Sequence, residues 1–209
     1  MERTAIILSG GHSKRFGRDK CMIELVGKPL IFYVFERIFD IVEEVIVVVD
    51  SVSLMDLYSQ IFLGKVKIVI DEMECQSPLV GALTGFMNSN SEYSILLPCD
   101  TPFASKDFIN LLFDLSSGFD AVIPRWPNGY IEPLQAVYKT RAALTAARRA
   151  FRRNEMKMSS MISLLRKVRY IPTLAVKKID PELNTFFNIN TLADLKTAEK
   201  LLKKGTEQK

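Results

Sequence analysis

The chain has 209 residues, 48% of them hydrophobic and 25% charged, the balance expected of a globular protein with a sizeable core. No apolar run reaches the roughly 18 residues needed to cross a bilayer, and glycines interrupt "MERTAIILSGG" early, so neither a membrane span nor a secretory leader is expected. Three cysteines with no CxxC pair and one histidine exclude an ordinary structural zinc site, which together with the missing leader points to the cytoplasm.

In chain order, "TAIILSG" (4–10) is a short apolar run ended by glycines, as expected of a buried strand. "LSGGHSKRFGRDK" (8–20) follows, with three glycines, four basic side chains and one carboxylate in thirteen residues. The pattern then predicts a buried helix over 28–41 with Pro29 near its start, a strand over 42–50, a short helix over 52–62 and a strand over 66–71. A helix over 78–89, a strand over 93–100 and an amphipathic helix over 105–116 come next. In the second half, "DAVIP" (120–124) and "LQAVY" (134–138) read as strands around the turn "RWPNGYIEP". Helical stretches over 140–153 and 158–169 lead to the apolar run 170–176, and a last helix over about 191–204 has Thr191 as N-cap with Asp194 three residues on.

Strands alternating with helices at this spacing predict an α/β fold, single-domain and Rossmann-like, with a mostly parallel sheet flanked by helices. The expected organisation is one domain over 1–209, ending in a C-terminal helix and tail over 191–209.

Net charge is +4 but uneven: from Arg141 to Arg169 nine Lys or Arg stand against one acid, Glu155. Such a segment suits nucleic acid, an anionic small molecule or simply a solvated helix face. No nucleic-acid-binding motif accompanies it, so no nucleic-acid partner is expected.

Asp50, Asp71 and Asp100 each fall at the end of a predicted strand, where open α/β sheets bind ligands. Gly10, Gly11 and Gly17 let the backbone approach a ligand closely, and such turns gather N–H groups into an anion-binding concavity. Arg15 adds a bidentate donor for phosphate oxygens and Lys20 a mobile point charge. Neither GxxxxGK[ST] nor GxGxxG occurs, so the loop is neither a P-loop nor a dinucleotide fingerprint.

The stretch 8–20 resembles the LAGGxSxRMGxDK signature of the nucleotidyltransferases that make molybdenum cofactor dinucleotides, the molybdenum cofactor guanylyltransferase (MobA-like) family. The resemblance continues, in order and at similar spacing, through "GKPLIFYVFERI", "IDEMECQSPLVGAL", "LLPCDTPF" and "FFNINTLADL". It is loosest over 125–180. Asp19-Lys20 stands where sugar- and isoprenoid-type relatives usually carry Pro-Lys, while Ser9 for Ala and Phe16 for Met are departures. The resemblance implies a nucleotide-diphospho-sugar transferase-like fold, with a nucleotide-binding half over 1–120 and an acceptor-binding half over 121–190, and Mg²⁺-dependent transfer of GMP from GTP to the phosphate of a molybdopterin-type cofactor, releasing pyrophosphate. The alternative is a sister enzyme using CTP or another phosphorylated acceptor.

Carried over residue by residue, Leu8, Ser9, Gly10 and Gly11 would meet the nucleotide, Lys20 and Arg15 its phosphates, and Asp71 the base or ribose. Asp50, where relatives often carry Asn, would line the same pocket. Asp100 would hold Mg²⁺, the expected cofactor. Asn188 and Asn190 would complete the metal or acceptor-phosphate site, and Trp126 or Tyr130 could stack on a pterin. The implied partners are GTP, the molybdopterin-type cofactor and, transiently, other cofactor-biosynthesis proteins. Cys99 reads as a small buried residue at a strand end.

Overall fold

A computed structural model describes residues 2–9, 12–13, 18–71 and 77–207, with backbone alone at 12, 13, 18 and 204–207. In chain order the elements are β1 (Arg3–Leu8), β2 (His12–Ser13), β3 (Arg18–Asp19), β4 (Glu24–Leu25), β5 (Lys28–Pro29), α1 (Leu30–Ile38), β6 (Glu44–Val49) and α2 (Val52–Phe62). They continue as β7 (Lys67–Ile70), α3 (Pro78–Asn88), β8 (Tyr93–Pro98), α4 (Lys106–Asp114), β9 (Ala121–Arg125), β10 (Ala136–Lys139) and α5 (Thr140–Arg152). The last are α6 (Met158–Ser163), β11 (Val168–Pro172), α7 (Thr173–Val176) and α8 (Leu192–Glu207).

Seven strands form one sheet in the order β11-β9-β10-β8-β1-β6-β7. Only β10 runs against its neighbours β8 and β9; the other pairings are parallel. The α/β fold with a mostly parallel sheet, expected from the alternating pattern, is therefore the fold observed. The near-continuous apolar strands follow from burial on both faces. In β1, Ala5 and Ile7 pack with α1, α2 and α4, whereas Ile6 and Leu8 pack with α3 and α5.

Helix α3 forms despite Gly81 and Gly85. A Cβ at Gly85 would lie 2.3 Å from Cγ2 of Ile6, so the glycine lets the helix lie directly on the central strand. A third apolar cluster joins Ile23, Leu25 and Leu30, around the β4–β5 ribbon, to Ile189 and to Ala198 of α8. It carries the end of the chain back to the segment that follows Lys20.

Two expectations need correction. The helix over 158–169 stops at Ser163, and Val168–Pro172 instead forms a strand parallel to β9. The open edge of β9 offers backbone partners that a surface helix would leave unused, and tertiary pairing overrides the local pattern. The helix over 28–41 begins only at Leu30, because Lys28–Pro29 pairs with Glu24–Leu25 and Pro29 caps the helix.

Candidate active site

The parallel strands set the site out as a row. In sheet order, Asp71 follows β7, Asp50 follows β6, Ser9 follows β1, and Asp100 comes two residues after β8. Three strand spacings of about 4.8 Å span ~14 Å, the scale of a nucleotide laid across the carboxyl edge.

At the Asp100 end, the chain brings together residues far apart in sequence. Lys20 opens a 3-10 turn (Lys20–Met22) capped by Asp19, whose Oδ1 accepts from the Cys21 N–H at 2.9 Å. The Lys20 ammonium forms an ion pair with Oδ2 of Asp100 and donates to Oδ1 of Asn190 at 2.6 Å. The main-chain oxygen of Asp100 accepts from Ile189 N–H at 3.0 Å, which holds the "NIN" stretch beside it. Both ion-pair side chains are sheltered yet open, 17% and 15% exposed, so a ligand can reach them. Oδ1 of Asp100 is buried with no hydrogen-bond partner among the described residues, as is Oδ1 of Asp50. Buried carboxylate oxygens are seldom left so, and here both line the same edge.

The middle of the row is a polar relay that the sequence did not reveal. The fully buried Tyr58 of α2 shares a hydrogen bond with the Ser9 hydroxyl at 2.9 Å and donates to Oδ2 of Asp19 at 3.0 Å. Burial, reinforced by the Asp19 charge, pushes the phenol well above its ordinary range, so it remains a donor. The Ser9 hydroxyl thus faces Tyr58. The Ser9 N–H is also engaged, with the Val48 carbonyl at 3.0 Å, and the Leu8 carbonyl accepts from Cys99 N–H at 3.4 Å. The one hint in the sequence was a tyrosine on the buried stripe of a helix that follows Asp50.

Asp71 is half-buried and accepts from the Thr84 hydroxyl at 3.1 Å, which ties it to α3. Gly10, Gly11, Arg15, Phe16 and Gly17 lie outside the described residues. Asn188 is exposed and makes no hydrogen bond to Lys20 or Asp100, unlike Asn190.

Cys99 departs from expectation. It is buried, but its sulfur is bonded to that of Cys21 across 78 residues of sequence, with Cα atoms 5.4 Å apart. Lys20 and Asp100 are the chain neighbours of the two bridged residues.

On the acceptor side, Trp126 donates to Glu132 at 2.6 Å and packs edge-on against Phe186, so its ring is committed to packing. Burial raises the pKa of Glu132, partly countered by that hydrogen bond. Tyr130 at the turn is 69% exposed. In the basic segment, α5 buries Ala143, Ala146, Ala147 and Ala150 and turns Arg141, Arg148, Arg149 and Arg152 outward, and Arg153 just after it is exposed as well. The Arg166 and Lys167 amides bind Asp120, and Arg169 covers the Phe119 ring. The charge run is largely a solvated face.

Among the described residues no group of three or more His, Cys, Asp or Glu could cage a metal. A lone carboxylate oxygen with an amide oxygen nearby instead fits Mg²⁺, which keeps several waters and draws other ligands from substrate phosphates.

Compared with known proteins, residues 5–168 match the family described as MobA-like NTP transferase domain. The chain belongs to this family. Among its relatives is a "Molybdenum cofactor guanylyltransferase" of Desulfosudis oleivorans, 32% identical over 97% of this chain and 96% of that one. A "Probable molybdenum cofactor guanylyltransferase" of Methanosarcina mazei is 34% identical over 92% and 88%. Among solved structures, molybdopterin-guanine dinucleotide biosynthesis protein A of Archaeoglobus fulgidus superposes with a TM-score of 0.82 at 28% identity, over 96% of this chain and 99% of that one. The 4-diphosphocytidyl-2C-methyl-D-erythritol synthase of Anaerococcus prevotii shares the fold, with a TM-score of 0.73 at 15% identity.

Proposed function

We propose that this MobA-like protein transfers GMP from GTP to the terminal phosphate of a molybdopterin-type cofactor. An oxygen of the acceptor phosphate bonds to the α-phosphorus as the α–β bridging bond breaks, and pyrophosphate leaves. The observation that carries this reading is the meeting of Lys20, Asp100 and Asn190 at one end of a carboxylate-lined sheet edge. The names carried by relatives along nearly the whole chain support the substrate pair.

The protein forms no bond in such a reaction; it orients the reactants and offsets the charge that builds up in the transition state. Lys20 would leave Asp100 to meet the phosphates. Asp100 would hold Mg²⁺, with the Asn190 amide alongside. When bound, Mg²⁺ screens the triphosphate so that an anionic acceptor can approach. Asp50 and Asp71, two and three strand spacings (~10 and ~14 Å) along the edge, would accept from the guanine N–H groups or the ribose. Gly10, Gly11 and Arg15 complete the phosphate loop in this reading, and Asn188 borders the acceptor.

Among the described residues no helix is long and apolar enough to cross a membrane. We place the enzyme in the cytoplasm, with its nucleotide substrate. Dinucleotide formation from molybdopterin with GTP, CTP and UTP, measured in parallel with Mg²⁺ present, tests the proposal. Preference for GTP is expected; equal use of all three would overturn the guanylyl assignment.

A further inference from the structure

The bond between Cys21 and Cys99 joins the chain neighbours of Lys20 and Asp100, which form the ion pair. Cys21 is the central residue of the turn that Lys20 opens, and Cys99 immediately precedes Asp100. Both cysteines are buried, 1% and 5% exposed, beneath side chains that remain accessible. Besides this bridge, Asp19–Tyr58 contacts and the apolar cluster of the β4–β5 ribbon hold the turn, and the cluster reaches the end of β8 non-covalently, through Ile189, whose N–H donates to the Asp100 carbonyl. The ion pair itself must open when phosphate or metal arrives. The bridge is then the covalent link between the two halves of the site.

We propose that the Cys21–Cys99 disulfide is a positioning element of the active site, fixing the turn that presents Lys20 against the strand end that presents Asp100. This rests on the nucleotidyl-transfer reading above, in which one group meets phosphate and the other metal. Holding two such groups in place before substrate binds lowers the ordering cost of binding, and ångström-scale misplacement lowers turnover. Opening the bridge takes two electrons and two protons. A dithiol supplies both through a mixed disulfide, leaving two cysteine thiols and its own cyclic disulfide.

The test compares full-length protein equilibrated with glutathione disulfide, the same protein reduced by dithiothreitol, and the Cys21→Ala/Cys99→Ala double variant. A non-reducing digest of the first should yield one peptide pair linked through Cys21 and Cys99; its absence overturns the proposal. All forms are assayed where circular dichroism shows them fully folded. Reduction and the double variant should each raise KM for Mg-GTP and lower kcat/KM roughly 10- to 100-fold, and re-oxidation of the reduced protein should restore both. A bond that only stabilised the fold would reduce the amount of active protein and leave KM unchanged, and that result overturns the proposal. Hydrogen exchange gives a readout independent of turnover. Amides of residues 20–23 should lose protection on reduction while the centre of β8 keeps it, and unchanged exchange overturns the clasp whatever GTP does. If exchange responds but no form binds GTP, the clasp is supported as a mechanical link and the functional reading fails.

Discussion

The Lys20 ammonium has two partners among the described residues, Asp100 and Asn190, and in the proposed reaction an incoming triphosphate would displace it from both. Its removal should therefore act on nucleotide binding, whereas Asp100 should act mainly on the chemical step. Asp100→Ala is expected to lower kcat by about 10²–10³, the range for loss of one charge-stabilising group, with far-UV circular dichroism unchanged. Lys20→Ala should raise KM for GTP as well as slow turnover. These two residues were legible because their neighbours, Asp19-Lys20 and "PCDTP", carry the family resemblance. Tyr58 was not legible, because its importance lies in two hydrogen bonds to residues 39 and 49 positions away. Tyr58→Phe keeps the ring and removes the shared donor, leaving Ser9 and Asp19 short of a partner. A loss of about 1–3 kcal/mol in urea unfolding is expected. In Tyr58→Phe/Ser9→Ala the second change should cost less than it does alone; strictly additive losses would mean that the relay is not coupled.

Helices α3 and α8 show how an element carries information to the site. Glycine within a helix ordinarily costs about 1 kcal/mol relative to alanine, so Gly85→Ala would stabilise an isolated α3. Here the new methyl would overlap Ile6, which is fully buried in the central strand, and overpacking costs about 1–3 kcal/mol. Net destabilisation is expected, and Ile6→Ala in the same chain should relieve part of it, as urea midpoints of the four forms would reveal. The sequence predicted α3 but not this contact, since hydrophobic periodicity says which face is buried and not how closely. It did predict the start of α8: the Thr191 hydroxyl accepts from Asp194 N–H at 3.2 Å, and Asp194 accepts from Thr191 N–H at 2.8 Å. The same carboxylate accepts from Asn190 N–H at 3.0 Å, so the cap also orients a residue that touches Lys20. Hydrogen bonds led by that of the Thr191 hydroxyl hold the Asp194 pKa below its ordinary 3.8. A depressed folded-state pKa means that the cap's contribution is complete above 3.8 and fades as pH falls through the lower folded value. Asp194→Asn should flatten stability against pH in that acid window and lower it at neutral pH, where the carboxylate's contribution is complete, both measured by thermal unfolding.

At the scale of the whole molecule, strand–helix alternation was enough to anticipate a mostly parallel sheet with its ligand edge at the strand ends. It was not enough to anticipate β11, whose partner β9 lies 47 residues earlier in register, or the disulfide, whose halves stand 78 residues apart. Long-range pairings leave no periodic trace, and three cysteines permit several pairings. The bridge nonetheless has a consequence for global stability that is separate from its place beside Lys20. Closing a 78-residue loop removes conformational freedom from the unfolded chain, worth ~4 kcal/mol in the chain-entropy description. Reduction should accordingly lower the urea midpoint. If the effect resides in the unfolded chain, the released loop also exposes more surface on unfolding, and the denaturant slope m should rise as the midpoint falls. A bridge acting through native contacts alone would shift the midpoint at constant m. Paired urea titrations of the oxidised and reduced forms at pH 7 separate the two, and a constant slope would place the stabilisation in the folded state.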